Sequence, residues 1–199
     1  AGPALAAILM GDANPSGKLP FTFPIKLEDN SAHALGEFVY ERSNEIVDVK
    51  YNEGIFVGYR WADKQKKVKP LFAFGHGLSY TTFEYGQAMT DKKEMAMDEV
   101  LTITVPVTNT GNREGAEVVQ LYISDLKSSL PRPIKELKGF QKIKLAPGET
   151  KEVTFTIAKD ALSFYDDAQQ AWIAEPGKFE AIVAASATDI KSKVVFNLK

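Results

Sequence analysis

The sequence predicts a mainly β protein, an antiparallel β-sandwich over residues 86–199 preceded by a segment over residues 1–85 that mixes helix and strand. Three observations predict it. Past about Tyr85 apolar and polar residues alternate with period two, as in strands with one buried face. Turn signals separate these runs with no helical period between them. Before Tyr85 the texture differs: a short apolar helix pattern, a proline-bracketed strand and long stretches without clean period.

The elements follow in order. Pro3 suits a first helical turn, Leu5, Ile8 and Leu9 share a face, and Gly11 stands where a helix C-cap glycine belongs. A helix so apolar predicts cover on most sides, and hence covering elements encoded upstream of Ala1. Asn14-Pro15-Ser16-Gly17 is a turn, and Leu19 to Pro24 a strand whose prolines confine it to an edge or a strand end. Lys26 to Asn52 reads as a long excursion, Gly54 to Trp61 as a compact β segment, and Leu71 to Tyr80 as packed and irregular.

In the second half, Leu101, Ile103, Val105 and Val107 point inward while Thr102, Thr104 and Thr108 face out. Val119, Leu121 and Ile123 repeat the pattern, as do Val153, Phe155 and Ile157, then Phe179, Ala181 and Val183, then Val194, Phe196 and Leu198. Asn109-Thr110-Gly111-Asn112, Ala146-Pro147-Gly148-Glu149 and Glu175-Pro176-Gly177-Lys178 supply the turns. Pro106 inside a strand predicts an edge or a bulge.

Composition narrows the function classes. With 44% hydrophobic and 25% charged residues the chain has the means to form a core. Its 24 basic and 26 acidic residues leave a net charge of -2, without the positive footprint of a nucleic-acid binder. The chain has no cysteine, which rules out disulfides, thiolate nucleophiles and Cys-ligated zinc. No run approaches the roughly 20 apolar residues of a membrane span.

Gly11 to Leu19 has the outline of a phosphate-binding loop, but the spacing is one residue too long and Leu19 replaces the hydroxyl residue. Asp12 to Gly17 opens like a calcium loop, yet Phe23 occupies the place of the bidentate Glu. The two histidines, His33 and His76, have no ligand partners at a recognisable spacing and read as structural or surface residues, so no metal and no cofactor is expected.

Three blocks then carry a family resemblance. They are Gly11 to Pro20, Glu53 to Arg60 and Phe74 to Phe83, and they resemble the C-terminal signatures of glycoside hydrolase family 3, the family of many β-glucosidases and β-xylosidases. Glu117 to Tyr122, Arg132-Pro133, Lys135 to Phe140 and Leu145 to Glu149 resemble the fibronectin-III-like module that ends those enzymes. His76 departs from the pattern, standing where Tyr is more usual; it reads as an aromatic swap. The resemblance implies a fibronectin-III/immunoglobulin-like antiparallel β-sandwich over 86–199 and, over 1–85, the C-terminal portion of the hydrolase's α/β sandwich domain.

It also implies a parent enzyme: a retaining β-glycosidase, β-glucosidase-like, that cleaves O-glycosidic bonds of β-glucosides or β-xylosides. An Asp nucleophile on an upstream barrel domain and a Glu acid/base earlier in the α/β domain would supply the two carboxyl groups, roughly 5–5.5 Å apart. Neither motif position falls within this chain, so no catalytic residue is assigned and the chain alone is expected to be inactive. The implied partners are the remaining catalytic domains, on the same or a separate chain, and a β-linked oligosaccharide or glucoside. A periplasmic or extracellular location follows from the family alone.

For substrate binding, Tyr59, Arg60 and Trp61 are the candidates, because an aromatic face packs against the C–H groups of a pyranose; the competing reading places these aromatics in the core. Glu41, Glu45, Asp48 and Glu53 form an acidic stretch that either lines a sugar cleft or is simply solvated. Lys64, Lys66, Lys67 and Lys69 read as a solvated turn. A rival from another class is a free-standing carbohydrate- or surface-binding module, which needs an exposed aromatic platform; Phe164, Tyr165 and Trp172 read instead as strand-packing residues. A purely adhesive fibronectin-type module fits 86–199 but gives no role to the signatures between Gly11 and Thr82.

Overall fold

The computed structural model describes residues 2–35, 50–65 and 69–199. Glu41, Glu45, Asp48, Lys66 and Lys67 lie outside them.

Two sheets face each other in the second half. One is built around β4 (Leu101–Asn109), which pairs with β7 (Thr150–Ile157) on one side and with β1 (Phe83–Tyr85) and β2 (Met89–Thr90) on the other. The other runs β3 (Glu94–Met95), β11 (Ile190–Leu198), β10 (Gly177–Ala184), β5 (Gly115–Asp125), β6 (Glu136–Leu145), antiparallel except for the β3–β11 pair. A small hairpin, β8 (Phe164–Asp166) with β9 (Ala171–Ile173), projects from the end of a helical turn, Lys159–Leu162.

Alternation decides which residues meet between the sheets. Leu101, Ile103, Val105 and Val107 of β4 are fully buried against Val119, Leu121 and Ile123 of β5 and Phe179, Ala181 and Val183 of β10. Phe179 and Phe196 stack at 5.8 Å between centroids. Each such buried aliphatic or aromatic side chain contributes about 1.5–3 kcal/mol through removal from water. The buried amide of Asn109 ends β4 by donating to Arg113 O and Leu145 O while its carbonyl accepts from Thr81 Oγ1.

Pro106 lies on neither an edge nor a bulge. It sits mid-strand in β4, opposite Glu152 of β7, and its missing N–H falls in the gap between β1 and β2. The chain crosses that gap at Gly86, whose N–H donates to Pro106 O at 2.8 Å; a Cβ there would stand 2.6 Å from the proline ring. The partner strand is split in two because the proline cannot donate to it.

The five-stranded sheet is buried on its second face as well. Tyr122, Ile182 and Ala184 pack with Ala73 and Ala187 in a separate cluster, joined by Tyr59, Phe74 and Leu137. This second layer ties the first 80 residues to the sandwich. Helix α1 (Gly2–Met10) ends at Gly11 with φ +83°, as its sequence predicts. It has no buried residue within the chain, and Leu5, Leu9 and Met10 are exposed.

Between Leu19 and Phe23 the chain runs against Phe72–His76. Leu19 N–H donates to His76 O, Gly75 N–H to Leu19 O, and Phe23 N–H to Phe72 O, each at 2.8 Å. Pro20 and Pro24 withhold the donors that would extend this ribbon, so it contracts to a single bridge, Phe23 to Phe72. His76 packs its ring against Phe72 at 5.4 Å. The stretch from Leu71 to Tyr80 is irregular, but only in part packed: Ala73 is buried whereas Leu71 and Leu78 are exposed.

Gly54 to Trp61 differs from the expected β segment. It makes a turn and then a helix, α3 (Tyr59–Lys64), because Gly58, at φ 57° and ψ -128°, turns the chain where a side-chained residue would be strained. The short helix α2 (Ser31–Ala34) is capped by Asn30, whose side chain accepts from Ala32 N.

Candidate functional site

Side chains from both halves converge along the seam. Asn14 accepts from Ser79 Oγ at 3.0 Å and Tyr80 N at 2.8 Å, and donates to Glu114 O at 2.9 Å. Lys18 reaches Glu117 at 2.7 Å, and Arg113 donates to Gly11 O while lying over the Tyr80 ring. Gln120 is buried and fully engaged: its amide donates to Gly75 O and Ala185 O, and its carbonyl accepts from Tyr122 at 2.7 Å. Gly75, at φ +78°, is required there, since a Cβ would stand 2.3 Å from Gln120 Oε1.

The three substrate-binding candidates part company in α3. Tyr59 turns inward, its ring 5.1 Å from Phe74 and 5.7 Å from Tyr122, its hydroxyl accepting from Leu137 N. Trp61 is buried, and its indole N–H donates to Asp29 O at 3.0 Å. Arg60 lines an open cleft. Glu53 is half-buried on the preceding turn.

That cleft has a volume of about 540 Å³ and lies between the Ile55–Arg60 segment, the loop around Arg132 and the β8–β9 hairpin. Arg132 forms its floor. Its guanidinium donates to Asp125 at 3.1 Å, to Glu136 at 2.7 Å and to Leu162 O at 2.9 Å, and covers the Phe164 ring. Glu136 also meets Arg60 at 3.3 Å and Lys138 at 3.6 Å. Burial works against the Glu136 carboxylate, but the Arg132 hydrogen bond and the charges of Lys138, Arg132 and Arg60 outweigh it and hold its pKa below the usual range. Burial likewise lowers Lys138, which Glu136 only partly offsets. Behind the cleft, Lys135 pairs with Asp63 at 2.5 Å, yet burial leaves the Asp63 carboxyl raised.

On the rim the hairpin overturns its sequence reading. Tyr165 and Trp172 are cross-strand partners with ring centroids 5.8 Å apart, and Trp172 is 68% exposed. Only Phe164 of the three packs inward. The register explains this: residues 164 and 173 share one face of the hairpin, 165 and 172 the other.

A second concavity, about 720 Å³, is apolar and runs beside α1 among Ile8, Leu19, Phe23, Phe72 and Leu78. Among the described residues no group of His, Cys, Asp or Glu could hold a metal ion.

Residues 1–59 match the glycosyl hydrolase family 3 C-terminal domain and residues 117–187 the fibronectin type III-like domain. The chain is 52% identical over 195 residues to a beta-glucosidase of Bacteroides ovatus, covering 98% of this chain and 26% of that protein. It is 47% identical over 192 residues to thermostable beta-glucosidase B of Acetivibrio thermocellus, covering 96% and 24%. Among solved structures, the beta-glucosidase of Kluyveromyces marxianus in complex with glucose superposes with TM-score 0.87 at 42% identity, over 100% of this chain and 22% of that one. The Bifidobacterium adolescentis GH3 beta-glucosidase does so with TM-score 0.88 at 35% identity, over 99% and 28%. The chain thus spans about a quarter of the length of the curated relatives it matches.

Proposed function

Because this chain belongs to glycosyl hydrolase family 3, whose C-terminal region it matches, we propose that it serves as the C-terminal part of a retaining β-glycosidase. The parent enzyme is β-glucosidase-like and hydrolyses O-glycosidic bonds of β-glucosides or β-xylosides, with the sandwich as structural support. The observation that carries this reading is identity of 47–52% to β-glucosidases over nearly the whole chain.

The support role rests on the seam. Asn14, Lys18, Gln120, Arg113 and the Lys135–Asp63 pair fasten residues 1–85 to residues 86–199, the two domains of the proposal, with β1 contributed to the sandwich sheet. The remaining catalytic domains, on the same or a separate chain, are the proposed partner of the exposed α1 face and the neighbouring apolar groove. Nucleophile and acid/base come from those domains. The carboxylates Asp63, Glu117, Asp125 and Glu136 are each paired with a lysine or arginine, which suits them to holding the fold and not to attacking an anomeric carbon. A periplasmic or extracellular site of action belongs to the same reading, as does the absence of a membrane span; no helix among the described residues is long and apolar enough to cross a membrane.

The test is direct. The purified 199-residue chain, incubated with an aryl β-glucoside, is expected to release no measurable aglycone. Turnover that survives repurification would overturn the assignment of both catalytic groups to other domains.

A further inference from the structure

The cleft floored by Arg132 is walled by groups that neither the seam nor the core requires. Trp172 and Tyr165 stand at its rim as an edge-to-face pair, rings at 67° to one another, which leaves Trp172 largely exposed. Arg60 spends one contact on Glu136, at 3.3 Å, and Lys138 approaches the same carboxylate only to 3.6 Å, beyond a good hydrogen bond. Both line the cleft and carry more N–H donors than these contacts use.

Charge selects the kind of ligand. Arg60, Arg132 and Lys138 are matched by Glu136 and Asp167 in the lining and Asp125 behind it. Donors and acceptors are interleaved with no surplus of either sign, so nothing favours an anion or a cation. A volume of about 540 Å³ falls within the roughly 300–1,000 Å³ typical of small-molecule sites. Aromatic faces for C–H groups beside mixed donors and acceptors fit a neutral polyhydroxylated chain.

We propose that the cleft between Arg60 and the Trp172 hairpin is a non-catalytic binding site for a neutral oligosaccharide. One sugar ring lies on Trp172, its edge against Tyr165, and its hydroxyls reach Arg60, Lys138 and Asp167. The site is independent of the hydrolytic reading, since this chain alone contains every group it uses.

The experiment titrates the 199-residue chain with cellotriose, xylotriose and, as a charged control, glucuronate, following binding by isothermal calorimetry and tryptophan fluorescence. Saturable binding of a neutral trisaccharide is expected, weakened about tenfold in both Trp172→Ala and Tyr165→Ala. Tyr165→Ala retains the Trp172 reporter, and far-UV circular dichroism establishes that each variant is folded. Three outcomes overturn the proposal: no saturable binding of either trisaccharide, binding that persists in both variants, or glucuronate binding more tightly than the neutral sugars.

Discussion

The hydroxyl of Tyr59 accepts the backbone N–H of Leu137 at 2.9 Å, so a side chain from α3 satisfies a donor on the free edge of β6. That edge would otherwise present the amide to solvent beside a bulge, where pairing with β5 shifts register at Leu121 and Tyr122. Tyr59→Phe keeps the ring contacts with Phe74 and Tyr122 and removes only the acceptor. A loss of about 1–2 kcal/mol is expected, read as a lower urea midpoint at unchanged m. An unaltered midpoint would show that the bond contributes nothing.

Asn14 acts as a three-way clasp between the turn it occupies, the Ser79–Tyr80 stretch and Glu114. Asn14→Ala should cost about 2 kcal/mol and loosen the seam selectively. Limited proteolysis checks this: cleavage before residue 83 should accelerate while the sandwich fragment stays resistant. Uniform resistance across the chain would refute the clasp.

Gly75 and Gln120 form a coupled pair. Gly75→Ala sets a Cβ against a side chain pinned by three hydrogen bonds and also strains a backbone at φ +78°, a combined cost of about 3 kcal/mol. In a Gln120→Ala background the collision disappears and only the backbone strain persists. A double-mutant cycle should therefore show the second substitution reducing the cost of the first. Simple additivity of the two would reject the collision as the cause.

Glu136 predicts a pH dependence. Its folded carboxyl titrates below the unfolded value of 4.5, so its stabilisation is present above that pH and is lost as pH falls through the lower folded value. Asp63 works oppositely: its raised carboxyl makes the fold gain stability as that group takes up a proton. The stability difference between wild type and Glu136→Gln should be largest near pH 7 and shrink on acidification through 4.5. A difference independent of pH would contradict the charge network around Arg132.

Much of the sandwich was legible in the sequence because β4 and β7 bury one face with period two, while β5 and β10 keep an apolar residue at every second position toward the core although their second face is buried too. β6 was not, since as an edge strand it exposes Phe140 and spreads Lys138, Lys142 and Lys144 along its length, erasing the alternation. α3 was hidden behind Gly58, whose backbone angles no neighbouring residue announces. The cleft was harder still. Arg132 and Glu136 are four residues apart, but Arg60 joins them only through the fold, and a three-residue strand such as β9 is too short for its pattern to say which way Trp172 points.

The bridge from Phe23 to Phe72 brings the two ends of residues 24–70 within one hydrogen bond of each other. Doubling the length of a flexible loop adds only about 0.6 kcal/mol to closing it, so the closed ends tolerate added length between them, whereas Tyr59 and Asp63, bonded to Leu137 and Lys135, must keep their places on the sandwich.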